Sequence, residues 1–525
     1  MKIVIVGGGS AGWFAAGYFV KMLKDVEVTL VESPNIPKIG VGESMHPYVS
    51  VLLLQMGVDP HHWMSETGST YKLGNKLVGW VDGEYSNTHS TFTYSFNPKL
   101  FFKEVNHVKT IPEWLYNGEK TNVDYLLEYV DKTNQKYDHI GFPHYHYCEN
   151  LTLPFEGTEY LGNDLFTWSQ HINSDTSADY VRDHIGLPNG VKHIQKKVVD
   201  VKLKDASSIE NITLDDGEVL NADLFIDCSG FAQVLLKKTD RKFLPYKDNL
   251  IDSAWVCQTE YEDPATEMTN YTQSIAEPYG WRFKVCLYHR AGNGYCFSSK
   301  HVSDADALEY FKTKVPTRRA EPRLLKWKPE RVEKFVDGNV LALGLSAGFI
   351  EPIEATNIYV IASAINNMVP VIKSYQETGL WDYSDLNNKL AYAYDDVAEF
   401  SRMQYALSTR KDTQFWLDMT AKREQYLDTP FKKFKNPNHT MTAMAEGRGL
   451  FPEYTWALRA KMFGIDTSSW YTNDPTTYEL AKLHYEYSEQ KHRVVSKTRE
   501  NNYEWHRKHI FNNMNPRDWG KSKGL

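Results

Sequence analysis

The sequence predicts an α/β protein: a module built on a parallel sheet, a mixed-sheet region, and a mainly helical C-terminal part. Three observations predict it. The chain opens on a β-branched run followed at once by closely spaced glycines and a helical pattern. Apolar runs of strand length return near Val26, Val198, Ala222 and Val340. From Asp382 onward the pattern is polar, rich in aromatic residues and mostly helical.

Residues 2–6 read as a buried parallel strand. Gly7, Gly9 and Gly12 follow in the spacing G-x-G-x-x-G. The first glycine permits a tight turn, the second lets a pyrophosphate approach the backbone, and the third lets the next helix pack close to the strand. Residues 13–23 are the expected helix, whose N-terminus offers unpaired N–H groups to phosphate. Residues 26–31 form the second strand. Glu32 closes it where an acid accepts hydrogen bonds from a ribose. Strand, glycines, helix and acid together predict dinucleotide binding; the glycine spacing alone would predict only a glycine-rich turn.

Composition narrows the classes. The formal charge of -8 is spread among mixed surface charges, leaving no basic stripe for nucleic acid. With 14 Trp and 33 Tyr, ring-lined pockets are available. No apolar run reads as long enough to span a membrane, and the N-terminus enters a strand directly, so no signal peptide is expected. The five cysteines are scattered and odd in number, with no C-x-x-C pair. That pattern predicts reduced thiols and a cytoplasmic location.

Along the chain, residues 39–44 (IGVGES) form a second glycine-bearing loop at Gly40 and Gly42, and residues 48–55 a short helix. Residues 69–80 alternate as one strand, with Tyr71, Leu73, Asn75 and Leu77 on one face and Lys72, Gly74 and Lys76 on the other, a face that is ordinarily solvated. The region 83–147, rich in Tyr, Phe, Asn and His, reads as an insertion covering a site. His144, His146 and Cys148 lack further ligands at metal-site spacing, so no metal is expected. A helix is predicted over 177–185 and strands over 198–203, 209–214 and 219–227, with a turn at 215–217. The apolar strand ending at Gly230 is a second ligand-facing strand end. Strands over 256–261, 281–289 and 294–298 build a second sheet. A helix follows over 305–314, then a strand over 340–343, then a long helix over 353–375 interrupted at Pro370. The basic end, residues 507–523, reads as a frayed surface. The expected organisation is a module over 1–380, with a covering insertion at about 81–175 and a second sheet at about 250–300. A helical region over 381–525 packs on it.

Several motifs then carry a resemblance. GGGSAGW at 7–13, IGVGES at 39–44, the Tyr-Lys strand at Lys72 and GFIEPIEATNI at 348–358 stand in the order found in flavin-dependent halogenases of the tryptophan-halogenase type. IDCSGF at 226–231 and YGWRFKVCL at 279–287 add to it. The similarity covers roughly the first 375 residues and thins toward the C-terminus. It implies a Rossmann-like FAD-binding domain of the hydroxylase (GR2) type. Cofactor contacts are implied at Gly7, Gly9, Ser10, Ala11, Gly12, Glu32, Gly40, Gly42, Val199, Gly230 and Gly344.

In that family reduced FAD, dioxygen and a halide yield hypohalous acid, which travels to a lysine beside an organic substrate. The resemblance places this lysine at Lys72, with Lys76 as the alternative holder. An ammonium can hold hypohalous acid by a hydrogen bond, and a neutral amine can capture it as a haloamine. Glu354 takes the place of a glutamate that stabilises the cationic ring and helps remove its proton. The alternative for Glu354 is a carboxylate opening the following helix, and Glu351 reads as structural. An unpaired acid in an apolar stretch is costly, and Lys72 is the partner expected for it.

Relatives bind halide on backbone N–H groups after that glutamate, in Ser-Thr-Gly. This chain has Ala355-Thr356-Asn357, so Thr356 and Asn357 are the implied halide donors, and the altered loop predicts better use of bromide or iodide. Relatives also carry W-x-W-x-I-P, where this chain keeps Trp281 but has Phe283, Val285 and Cys286. That departure keeps an aromatic hydroxylase open as a second reading. A non-catalytic binding protein on the same fold is a third, opposed by the intact glycines and Glu32. Tyr94 and Phe96 are the implied substrate-sandwiching rings, with Trp456, Trp470 and Tyr471 as further wall candidates. The substrate is expected to be a small electron-rich arene. One dinucleotide fingerprint fits an enzyme supplied with FADH2 by a separate flavin reductase. A homo-oligomer is left open.

Overall fold

The computed structural model describes residues 1–35, 40–81, 88–91, 129, 132–133, 144–156, 159–160, 169–316, 319–424, 451, 456, 459–460, 463–465 and 475–525. The chain forms two compact units, each assembled from three separated segments. The first comprises Met1–Ser69, Ile172–Asp252 and Leu325–Ala398; the second comprises Thr70–His171, Ser253–Leu324 and Glu399–Leu525. The division therefore follows neither residue 380 nor any other single cut.

The first unit is organised on a six-stranded sheet. Its spatial order is Lys192–Ile194, Glu27–Val31, Lys2–Val6, Leu224–Asp227, Val340–Ala342 and Val336–Asp337. All neighbours are parallel except the last pair. The central strand, Lys2–Val6, has four successive buried residues, as a strand covered on both faces requires. The helix Ser10–Met22 follows and packs against Thr356–Thr378. The Tyr18 hydroxyl lies 2.7 Å from Asn366 Oδ1 and 2.8 Å from Gln55 Oε1.

Three expectations change in this unit. The predicted strand 219–227 is two elements: Val219–Leu220 closes an antiparallel hairpin with Ile209–Leu214, and Leu224–Asp227 joins the parallel sheet. The helix predicted over 177–185 is α-helical over Ser174–Tyr180 and widens into a π-helix over Val181–Gly186. The long helix begins at Thr356, because Glu354 (φ 61°) and Ala355 (φ 57°) are both left-handed; it then runs through Pro370 to Thr378. By length and composition Ile353–Thr378 is apolar enough to cross a membrane, contrary to the sequence reading, and 56% of its most apolar window is buried.

The second unit holds strands of a seven-stranded sheet, in the order Ser253–Thr259, Ala291–Phe297, Gly280–Cys286, Tyr271–Glu277, Gly74–Val78 and Thr88–Thr91. Tyr271–Glu277 is a strand beyond those the sequence predicts; it pairs parallel with Gly74–Val78 and antiparallel with Gly280–Cys286. The helix Asp304–Lys314 covers the sheet, burying Ala307 and Phe311 against Cys257, Tyr295 and Phe297. Its Ser303 cap accepts from Asp306 N, and acids in the first turn with lysines in the last match the helix dipole.

The stretch 69–80 is not one strand. Thr70–Lys72 pairs with Ser169–Ile172, whereas Gly74–Val78 belongs to the large sheet, and the Leu73 amide donates to Asn270 O at 2.7 Å. The basic C-terminus is not frayed. Helices Asn502–His509 and Pro516–Ser522 bury Trp505, His506 and Trp519, and Phe511 stacks on Tyr288 at 3.6 Å.

Candidate functional site

In the first unit the glycine loop and the surrounding strand ends enclose a cavity of about 490 Å³. Gly7 has φ 118°, a conformation side chains disfavour, and its amide donates to Val31 O at 2.8 Å. A β-carbon on Gly12 would fall 1.9 Å from Gly7 O, so only glycine lets the helix sit this close. Among the described residues, no atom beyond its chain neighbours lies within 4 Å of the β-carbon position of Gly9, which opens onto the cavity. These are the turn, packing and approach roles a dinucleotide needs. The cavity size is that of an ordinary cofactor site. The residues therefore fit FAD.

Ser10, Ala11, Glu32, Gly230 and Gly344 all line the cavity. Asp227 holds the strand end that presents Gly230: its buried carboxylate accepts from the amides of Ser229, Leu235 and Leu236 and from the Ser229 hydroxyl. Burial raises its pKa, and those four bonds oppose the rise. Gly12 packs behind the wall. Gly40 and Gly42 are set back from the cavity lining; Gly40 leaves space for the Asp175 carboxylate, 1.8 Å from where its β-carbon would be. Val199 is 54% exposed, and its neighbour Val198 lines the cavity instead.

Several lining residues had no motif to announce them. Ser174 and Asp175 open the helix that leads into the π-turn, and Ser10 Oγ donates to Ser174 O at 3.1 Å. Arg182 lines the cavity while bound to Asp179 and Asp183. Glu43 lies within the IGVGES stretch whose glycines drew attention; burial, reinforced by Asp175 and opposed by a Ser174 hydrogen bond, pushes its carboxyl up to about 7.

Glu354 is buried beside Ile353 and Thr356. Its left-handed backbone places it before the helix, so it does not open the first helical turn. Two successive non-glycine residues in this region cost about 1–2 kcal/mol each, a local strain of the kind that clusters at working sites. The loop delivers Asn357 and Ile358 into the cavity wall, with Thr356 buried at the helix start. Glu351 is also buried.

In the second unit Lys72 is 1% exposed, whereas the alternation of residues 69–80 predicts a solvated face for it. The short strand pairs Lys72 with Ser169 and Thr70 with His171. The Cys286 carbonyl accepts from Thr70 Oγ1 at 2.6 Å and lies 3.2 Å from His171 Nδ1. His171 Nε2 is 2.9 Å from Thr272 Oγ1. Burial first, then the Lys72 charge, lower the His171 pKa to about 3. A neutral His171 therefore donates from Nδ1 and accepts at Nε2. The Tyr71 amide donates to His506 Nε2 at 3.0 Å. Lys76 differs: its Nζ is 3.2 Å from Glu149 Oε1 and 5.4 Å from the Tyr271 ring.

Trp281, Phe283 and Val285 share the buried face of their strand, and a β-carbon on Gly294 would overlap the Phe283 ring. Cys286, in place of proline, keeps an amide and pairs with Ala291. Tyr94, Phe96, Trp470 and Tyr471 lie outside the described residues. Trp456 packs edge-on against Phe400 at 5.0 Å.

A family model described as tryptophan halogenase matches residues 2–472. The tryptophan 7-halogenase RebH of Lentzea aerocolonigenes is 29% identical over 428 residues, covering 79% of this chain and 78% of that protein. The tryptophan 6-halogenase SttH of Streptomyces toxytricini is 29% identical over 432 residues, covering 79% of this chain and 80% of the relative. Among solved structures, a flavin-dependent halogenase from Xanthomonas campestris has the same fold with a TM-score of 0.80 at 24% identity, over 97% of this chain and 98% of the other. BrvH, a flavin-dependent halogenase from Brevundimonas sp. BAL3, aligns with a TM-score of 0.75 at 24% identity, over 97% and 99%. With a dinucleotide cavity built on its first glycines and the family's pattern running through most of its length, the chain belongs to the tryptophan halogenase family of flavin-dependent enzymes.

Proposed function

We propose that this enzyme forms hypohalous acid from dioxygen and halide and delivers it through Lys72 to an electron-rich aromatic substrate. The observation that carries the reading is the burial of Lys72, 1% exposed on a short strand whose neighbour carries the neutral His171. Burying a lysine this fully is costly and marks it as a candidate working residue. Lys76, which pairs with Glu149 and lies over the Tyr271 ring, is the less buried of the two.

FAD, when bound in its reduced form, supplies the electrons that activate dioxygen for halide oxidation. Gly7, Gly9, Ser10, Ala11 and Glu32 would hold it, with Gly230 and Gly344 on the facing wall. Thr356 and Asn357 offer backbone donors to the halide; Asn357 lines the cofactor cavity itself, which supports a halide position close to the flavin. Lys72 donates a hydrogen bond to hypohalous acid and polarises it. The ring carbon takes the halogen, the O–halogen bond breaks toward oxygen, and the ring loses its proton. Glu354 balances the positive ring and accepts that proton. A separate reductase supplies FADH2.

The substrate is a small arene; the relatives named for tryptophan make an indole the first compound to try. The Asn357 side chain, absent from a glycine-bearing loop, favours bromide or iodide over chloride. The test combines protein, FAD, a flavin reductase and a panel of indoles and phenols with equimolar halides, and reads products by mass spectrometry. Brominated or iodinated product in excess of chlorinated product is expected. Hydroxylated product formed without halide would replace this reading with the hydroxylase, and a strong chloride preference would end the halide assignment.

A further inference from the structure

We propose that His193 is a positioning residue for the cofactor: it clamps Glu32 over the glycine loop so that one carboxylate oxygen faces the ribose of the adenosine half. The proposal rests on the reading that this cavity holds FAD. The strand Lys192–Ile194 lies parallel beside Glu27–Val31, with His193 opposite Leu30 and the Glu32 amide donating to Ile194 O at 3.0 Å. That register brings the His193 ring alongside Glu32. His193 Nε2 stands 2.6 Å from Glu32 Oε1, with both side chains mostly buried, at 15% and 17% exposure. The ring is itself braced edge-on by Trp13, the residue that follows the third motif glycine, at 5.0 Å and 77°.

The two carboxylate oxygens therefore have different tasks. Oε1 is committed to the histidine. Oε2 lies over Gly8, 1.6 Å from where a β-carbon on that residue would sit. Gly8 stands outside the G-x-G-x-x-G positions, and the clamped acid fills the space a side chain there would need. Glu32 and Gly8 both line the cavity. Of the cations in the same wall, Arg182 is held by Asp179 and Asp183, and Lys196 by Asp216 and Glu218. The hydrogen bond that orients Glu32 thus comes from His193. A carboxylate held at one oxygen loses less freedom when the other accepts a hydroxyl, which is how pre-organisation raises affinity.

The test uses full-length protein without flavin and measures binding of ADP and 2′-deoxy-ADP by calorimetry, with FAD binding followed by flavin fluorescence. The wild type should prefer ADP by at least about tenfold, the scale of a hydrogen bond to a charged acceptor. His193→Leu and His193→Asn, which cannot reach Glu32, should reduce that preference to within about twofold and weaken FAD in step. His193→Gln, which keeps a donor of suitable length, should restore it. Should the leucine variant fail to fold, the asparagine variant decides, and thermal unfolding of each apo-protein separates folding from binding. Retention of the full ADP preference by either folded variant would overturn the clamp. No preference in the wild type would overturn the Glu32–ribose reading beneath it, a distinguishable failure.

Discussion

A β-carbon on Gly7 would lie 2.2 Å from the carbonyl oxygen of Cys228. The two residues sit on neighbouring strand ends, where the Cys228 amide also donates to Val6 O at 2.8 Å. Backbone meets backbone here, so nothing flexible can move aside. Gly7→Ala adds this clash to a left-handed φ that alone costs about 1–3 kcal/mol. The substitution should lower the thermal midpoint by several degrees and weaken FAD binding together. An unchanged midpoint with an unchanged flavin titration would contradict the loop geometry.

Ala355 offers the opposite change. Its φ of 57° is strained for alanine, and glycine relieves about 1–2 kcal/mol while adding unfolded-state entropy worth roughly 0.4–1 kcal/mol. Ala355→Gly should therefore leave stability unchanged or raise it slightly, by up to about 1.5 kcal/mol. Denaturant unfolding checks this. A loss of more than about 1 kcal/mol would mean that residue 355 is not left-handed.

Lys72 and Lys76 should separate cleanly. Lys72→Ala should cut arene halogenation by about two orders of magnitude or more while halide-dependent consumption of dioxygen continues. Lys76→Ala, which removes an ion pair with the partly exposed Glu149, should cost no more than about 1 kcal/mol of stability and leave product formation near wild type. Mass spectrometry of products beside oxygen uptake distinguishes the two. Halogenation surviving in Lys72→Ala would remove the delivery role.

Glu43 gives a pH dependence. Its folded pKa, about 7, lies above the ordinary 4.5, so the folded chain holds a proton that the unfolded chain releases. Unfolding stability therefore falls as pH rises from about 4.5 to about 7, and the loss persists above that window. Glu43→Gln removes this slope. The variant should gain stability on the wild type with rising pH, by about 1–3 kcal/mol at pH 8. Thermal unfolding of apo-protein across that range measures it. Parallel pH profiles would place Glu43 in water.

How far the sequence could be read depended on whether residue type and conformation are locally tied. Gly7 and Gly12 were legible because backbone sterics demand glycine where they sit, and Gly9 because a ligand's close approach asks for open space there. The strands beside them were legible from β-branched runs. Long-range pairing was not. The split at Leu73 depends on Asn270, and the break within 219–227 depends on two different sheets claiming its ends. Lys72 carries no local sign of burial, because alternation puts it with Lys76, whose surroundings differ. Ser174 and Asp175 reach the cavity, and His193 reaches Glu32 in its wall, through distant segments that no short motif marks. At the C-terminus, basic side chains on one face hid the packing of Trp505 and Trp519 on the other.

The parallel sheet has a consequence for synthesis. Lys2–Val6 is made well before its neighbour Leu224–Asp227, which emerges more than two hundred residues later, and Val340–Ala342 comes later still. On the ribosome the founding strand must wait, with an apolar edge bare, until more than two hundred further residues have been translated. A nascent chain of this design is a natural client for holding chaperones. In heterologous hosts, yield should be governed by translation speed and growth temperature more than by the equilibrium stability of the finished enzyme.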